Sequence, residues 1–334
     1  MNQLAEFDHR TGRDAGSGSL RNLAEYYDWE LDEATAFGLG GGVASVAVDR
    51  PEGDRPGFLG RVPWLDEQFF ESIDVTYRVR DGFDFGTAWE NVAGRVDAEE
   101  PPLLTLDPAE LRHVPRTQSV PAHTVVAIGV GDDSMLVSDP TRDEPVELDR
   151  ETLEAAWSVD APVSTANRYV VAEFGADADL ETAANRALRE TTGYVLDTAT
   201  YDRTLGGSDD YGDHGPDALR SLAADLDGWT DPGDESAIRL LRRAVTEHGR
   251  GAAYRRLYAE SLTVLASEAG VGGGQSGKMD DVADEWEAFA DHLADAAEAY
   301  ETDARVAALD RAAATLADIA DQEEAFFEHV REEL

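Results

Sequence analysis

The 334-residue chain contains no cysteine. That excludes disulfides, thiolate metal sites and thiol catalysis. Lysine is nearly absent as well: Lys278 stands alone, and Lys plus Arg total 28 against 70 Asp plus Glu. The resulting formal charge of −42 makes nucleic acid and anionic membrane poor partners. No apolar run approaches the ~20 residues of a membrane span. Residues 1–18 lack the charged and apolar regions of a signal peptide. A soluble, cytoplasmic protein is therefore expected. What is present is acidity spread over every segment, without a contiguous acidic block. That pattern suits a high-salt cytoplasm, where screening tames self-repulsion. Apolar residues make up 42%, enough for a real core, and the length allows two domains.

The stretch Pro121 to Pro140 organises the first half. Two β-branched runs flank a Gly-Asp-Asp-Ser turn and read as an antiparallel hairpin. His123 opens the first strand and Asp139 closes the second, so a hairpin brings both side chains together. A carboxylate that orients an imidazole, which in turn activates a nucleophile, is the papain-like arrangement. On spacing alone, a structural hairpin with a His at its edge is the plainer reading.

Around it, apolar spacing predicts a helix from about Ser17 or Ser19 to Asp28, a short helix over 31–37, and a strand over 43–48. Residues 49–63 read as loop. Helices over 64–72 and 86–96, strands over 73–79 and 103–106, a helix over 150–157 and a strand over 168–174 follow. Mixed helices and antiparallel strands make this half α+β. After Gly175 only helices are expected, at 179–197, 216–227, 235–248, 250–268, 279–300 and 303–330. Polar linkers are expected at 203–215 and 270–278. Met279, Val282, Ala283, Trp286, Ala290 and Leu293 form one apolar stripe; Leu309, Ala313, Leu316, Ala320 and Val330 form another. Such stripes mark a bundle core.

An ordered set of motifs carries a resemblance. It comprises Ser19-Leu20-Arg21-Asn22-Leu23, Glu33, Phe37-Gly38-Leu39-Gly40-Gly41-Gly42, Leu103-Leu104-Thr105-Leu106-Asp107 with Leu111, and the His123 to Asp139 hairpin. Over residues 7–174 the chain resembles the N-terminal domain of the butirosin biosynthesis protein H family. The second half, with Arg255-Arg256-Leu257-Tyr258 and the Trp286 helix, resembles the helical domain that follows in that family. The resemblance implies a papain-like α+β fold, akin to leader peptidases, over 1–175 and an all-α domain over 176–334. It also implies acyl transfer from a carrier-protein thioester to an amine. The family has His-Cys-Gly-Ser at the start of its first helix, with Cys as nucleophile. Here Asp14-Ala15-Gly16-Ser17 stands in its place, so Ala15 replaces the nucleophile and Asp14 the preceding His. An Ala methyl cannot attack a thioester. Ser17 lies about 200° further round the helix and should point away.

Other signals are weaker. Gly272 to Lys278 matches most of a phosphate-binding loop, but Met279 replaces the metal-binding hydroxyl and a helix precedes it, so a flexible linker is preferred. Ser208 to His214 lacks calcium-loop spacing. His9, His113, His248, His292 and His329 show no ligand spacing and read as surface or core residues. Gly38 to Gly42 reads as a backbone turn near the site.

The candidate site is thus Ala15, His123 and Asp139, with Asp14, Ser17, Asn22, Gly38, Gly40 and Asp107 as cleft or ligand-binding candidates. No metal and no cofactor is expected. The leading reading is a butirosin-type acyltransferase relative without cysteine chemistry. It would bind an acyl-carrier protein, an amine or a peptide, or regulate an active paralogue. The rival is a working transferase or amide hydrolase that uses His123 as general base or a Ser nucleophile. A third reading is an assembly subunit. The oligomeric state is open.

Overall fold

The computed structural model describes residues 2–48, 55–114, 123–160, 164–173, 178–197, 211–249, 251–299 and 302–334. It divides into two compact units, Met1–Gly40 with Pro63–Ala183, and Gly41–Val62 with Ala184–Leu334. Expectation placed a continuous cut at 175/176. In the compact units residues 41–62 fall with the later residues, where Val43–Val48 pairs with Tyr211–His214.

In the first unit lie β1 (Asn2–Gln3), α1 (Ala15–Tyr26), α2 (Glu33–Leu39), α3 (Leu65–Ser72), β4 (Tyr77–Arg80), α4 (Phe85–Asp97), β5 (Leu103–Leu106), β6 (His123–Val130), β7 (Ser134–Ser138), β8 (Val146–Asp149), α5 (Arg150–Trp157) and β9 (Tyr169–Ala172). The strands form an antiparallel sheet in the order β4-β9-β5-β6-β7-β8, with β1 also on β6. The unit is α+β, as expected. Four of the acidic residues serve local structure directly. Asp14, Asp32, Asp84 and Asp149 each cap a helix by accepting a backbone N–H in its first turn. Asp14 is the cap of α1, where Ser17 or Ser19 was expected.

β6 is buried along nearly its whole length, from His123 to Gly129. A strand covered on both faces reads as a continuous apolar run rather than an alternation, and Val125-Val126-Ala127-Ile128 is that run. Both α1 and α4 pack on β6. Gly131 N donates to Ser134 O at 2.8 Å and closes the turn into β7. Pro121 and Ala122 lie outside the described residues. The short β8 and β1 were not expected.

The second unit holds β2 (Val43–Val48), β3 (Gly57–Arg61) and β10 (Tyr211–His214) in a sheet of order β10-β2-β3. α6 (Leu180–Leu196) runs into this unit. α7 (Gly215–Leu226), α8 (Glu235–Thr246), α9 (Arg255–Glu268), α10 (Gln275–Glu298) and α11 (Thr302–Glu333) complete it. The 49–63 loop is corrected, since β3 occupies its end. The two linkers are corrected as well: β10 forms in the first, and α10 begins inside the second. Ser208 to Asp210 lie outside the described residues. The α10 stripe is buried throughout, while on α11 Ala312 rather than Ala313 turns inward.

The centre of this unit is a saturated ion pair. Arg255 donates through Nε and Nη2 to both Glu323 oxygens, at 2.8 Å each. Its Nη1 reaches the carbonyls of Ala44, Gly60 and Ala253, and Nη2 also meets Ser45 Oγ. Trp286 donates to Glu323 Oε1 and stacks on the guanidinium 4.9 Å away. Ahead of α9, Ala252, Ala253 and Tyr254 all take left-handed φ values of 51°, 47° and 71°. Non-glycine residues resist this conformation by about 1–2 kcal/mol each. Arg255 offsets that strain by tying the Ala253 carbonyl to the β2–β3 hairpin.

Candidate functional site

α1 carries the first part of the site. Positions 15, 19 and 22 fall on one helix face. Ser19 Oγ donates to Thr124 O at 2.9 Å, and Asn22 Nδ2 donates to Ser138 Oγ at 3.2 Å. That face therefore lies along the strand ends that bear His123 and Asp139. The approach is close: a Cβ on Gly18 would sit 2.5 Å from Pro140 Cβ, and Gly12 N donates to Pro140 O at 2.7 Å. Asn22 adds a polar contact to this packing. It ties α1 to Ser138, which also lies 2.7 Å from His9 Nδ1.

Ala15 is the first residue of α1 and is buried. Both nearby hydroxyls already have hydrogen-bond partners. Ser17 Oγ donates to Glu33 Oε1 at 3.1 Å. Ser19 is spent on Thr124, and both serines are fully buried. Glu33 also accepts from the backbone N–H groups of Arg13 and Asp14. Two carboxylates, Asp14 and Glu33, thus occupy the N-terminal end of α1, an end whose dipole attracts anions.

The hairpin supplies the second part. His123 Nε2 donates to Asp139 Oδ2 at 2.8 Å. The expected pairing across the strand ends is present. Asp139 is completely buried, and its other oxygen accepts from Thr141 N at 2.9 Å and Thr141 Oγ1 at 2.7 Å. Burial alone would push its carboxyl up. Hydrogen bonds from His113, His123 and Thr141, with the nearby His123 charge, outweigh burial and hold it well below the usual carboxylate range. An ionised carboxylate only accepts, so the protons of these bonds sit on the imidazole Nε2 atoms. For His123, Nδ1 is then the nitrogen left to serve a reacting group.

His113 was missed. It reads as an isolated surface or core residue, yet its Nε2 also donates to Asp139 Oδ2 at 2.8 Å. No local spacing signals this. The nine residues between His113 and His123 form no motif, and only the fold brings both to one oxygen. Asp107 and the glycines are more ordinary. Asp107 Oδ1 accepts from Ala109 N at 2.8 Å, the turn role open to an Asp before Pro108. Gly40 ends α2, and a Cβ there would meet Leu65 O at 2.7 Å, so packing against α3 demands glycine. Gly38 is buried within α2.

With this geometry in place, the comparisons with known proteins can be set beside it. Residues 14–140 match butirosin biosynthesis protein H, N-terminal, and residues 151–330 match a domain of unknown function (DUF4872). The chain belongs to this two-part family. The match begins at Asp14 and ends at Pro140, so it spans the α1 start and the His123–Asp139 pair of the butirosin-type domain. Among solved structures, one similar chain is titled as a putative C39-like peptidase from Bacillus anthracis. Identity is 17% and the TM-score 0.37, over 52% of this chain and 98% of that one. No curated protein matches the chain. Among the described residues, no helix is long and apolar enough to cross a membrane.

Proposed function

We propose that this butirosin-type protein is a ligand-binding or regulatory relative of acyltransferases, without covalent catalysis. It works in a high-salt cytoplasm and receives an acyl-carrier protein, an amine or a peptide at the α1–hairpin site, or acts on an active paralogue. One observation carries the reading: Ala15 holds the start of α1, and the Ser17 and Ser19 hydroxyls are both committed to structural bonds. The His123–Asp139 pair persists without a group to activate.

Incubation with acyl-pantetheine thioesters, followed by intact-mass measurement, tests this. Unmodified protein is expected. An acyl adduct mapped to Ser17 or Ser19 overturns it. A second reading, direct transfer with His123 as general base, is favoured by the intact 2.8 Å pair. Acylation of an added amine, with no adduct and with loss of turnover in His123→Ala, would select that reading instead.

A further inference from the structure

A dyad that orients one imidazole needs one imidazole. The hairpin site of this protein has two, converging on the same carboxylate oxygen. We propose that His113, His123 and Asp139 form a binding site for one divalent first-row transition ion of the zinc type. The three ligand atoms, two Nε2 and one Oδ2, all lie within 4.8 Å of one another. Each imidazole nitrogen is 2.8 Å from the oxygen. A tetrahedral ion with bonds of about 2.0–2.2 Å sets its ligand atoms roughly 3.4 Å apart. Admitting it opens each N···O contact by roughly half an ångström and brings the two Nε2 atoms to the same spacing, an adjustment of the two imidazole side chains.

The donor set decides the class of ion. Two imidazoles and one carboxylate suit zinc with an open position, or ferrous iron on one face of an octahedron. Magnesium and calcium want oxygen ligands and are poorly served. The carboxylate is also held as a ligand should be. Thr141 fills Oδ1 with two hydrogen bonds, which turns Oδ2 toward the imidazoles. Such outer contacts fix ligand orientation in metal sites. Access runs past His113, which is 16% exposed while Asp139 is 0%. Binding breaks both Nε2–H···Oδ2 bonds and forms three metal–ligand bonds. Each Nε2 proton passes to Nδ1 or to solvent. A fourth position is left for water or a ligand atom. The inference rests on this triplet alone and stands whether or not the site handles acyl groups.

The test uses the full chain, stripped with chelator and titrated with Zn²⁺ alone in molar KCl, which screens the acidic surface. One zinc per chain is expected by elemental analysis. His113→Ala and His123→Ala should each weaken binding by about 100-fold or more, and Thr141→Val by about 10–100-fold. Circular dichroism verifies that each variant is folded. Absence of stoichiometric zinc, or binding equal in wild type and folded His variants, overturns the site. X-ray absorption on the wild-type zinc complex covers the case of a variant that does not fold. Two imidazoles in the coordination shell support the site; one or none overturns it.

Discussion

The most deeply buried carboxylate of each unit, Asp139 in one and Glu323 in the other, sits in a polar cluster, and the two clusters are built differently. Glu323 faces Arg255, whose guanidinium uses every donor on carbonyls, a hydroxyl and the carboxylate itself. Nothing there remains to meet a ligand. Asp139 faces two imidazoles that each spend one nitrogen on it, and one of them, His113, reaches solvent. A saturated cluster holds a fold together. A cluster with ring nitrogens in reserve can still do chemistry. That contrast, rather than burial or charge, separates the structural site from the candidate functional one.

Breaking the saturated cluster should have the largest effect. Arg255→Ala leaves Glu323 buried without its partner and several carbonyls without a donor. A loss of about 3–5 kcal/mol is expected in denaturant unfolding. Its strained Ala252–Tyr254 turn should become the first segment to lose amide-exchange protection. A loss near zero would mean that the pair does not hold the unit.

A smaller effect is expected from crowding the other cluster. Gly18→Ala drives a methyl into the Pro140 ring, which cannot retreat while its carbonyl is bound by Gly12. Overpacking of this kind costs about 1–3 kcal/mol, against about 1 kcal/mol gained by removing glycine from a helix. Net destabilisation should come with altered chemical shifts at His123. Unchanged shifts would show that α1 does not position the hairpin.

Smaller still is the loss of the α1 cap. Asp14→Ala removes the acceptor for Ser17 N and should cost about 1 kcal/mol by thermal melting. A gain instead would mean that the two carboxylates, Asp14 and Glu33, repel each other more than the cap contributes.

Local chemistry made much of this legible in the sequence. The β-branched hairpin, the α10 stripe and the helices at 65–72 and 150–157 follow periodicity and stand where expected. Strand β3 was hidden because Pro51, Gly53, Pro56 and Gly57 mark its approach as loop. The pairing of β2 with β10 spans some 160 residues of sequence, and no local pattern signals it. The His123–Asp139 pair was readable because one hairpin creates it. His113 was not, because its approach to Asp139 depends on the whole sheet. The reading of position 15 as a nucleophile position rests on the family motif alone, since no local pattern marks it.

The central claim is that the His123–Asp139 machinery survives and only the nucleophile is gone. Restoring a thiol tests it most directly. In metal-free Ala15→Cys protein, the rate of alkylation by iodoacetamide at neutral pH should exceed that of Ala15→Cys/His123→Ala by about tenfold. That is the gain expected when a neighbouring imidazole lowers a thiol pKa by about one unit from its usual value near 8.5. Equal rates in the two proteins, at the pace of an ordinary thiol, would contradict the account and leave His123 and Asp139 without a link to position 15.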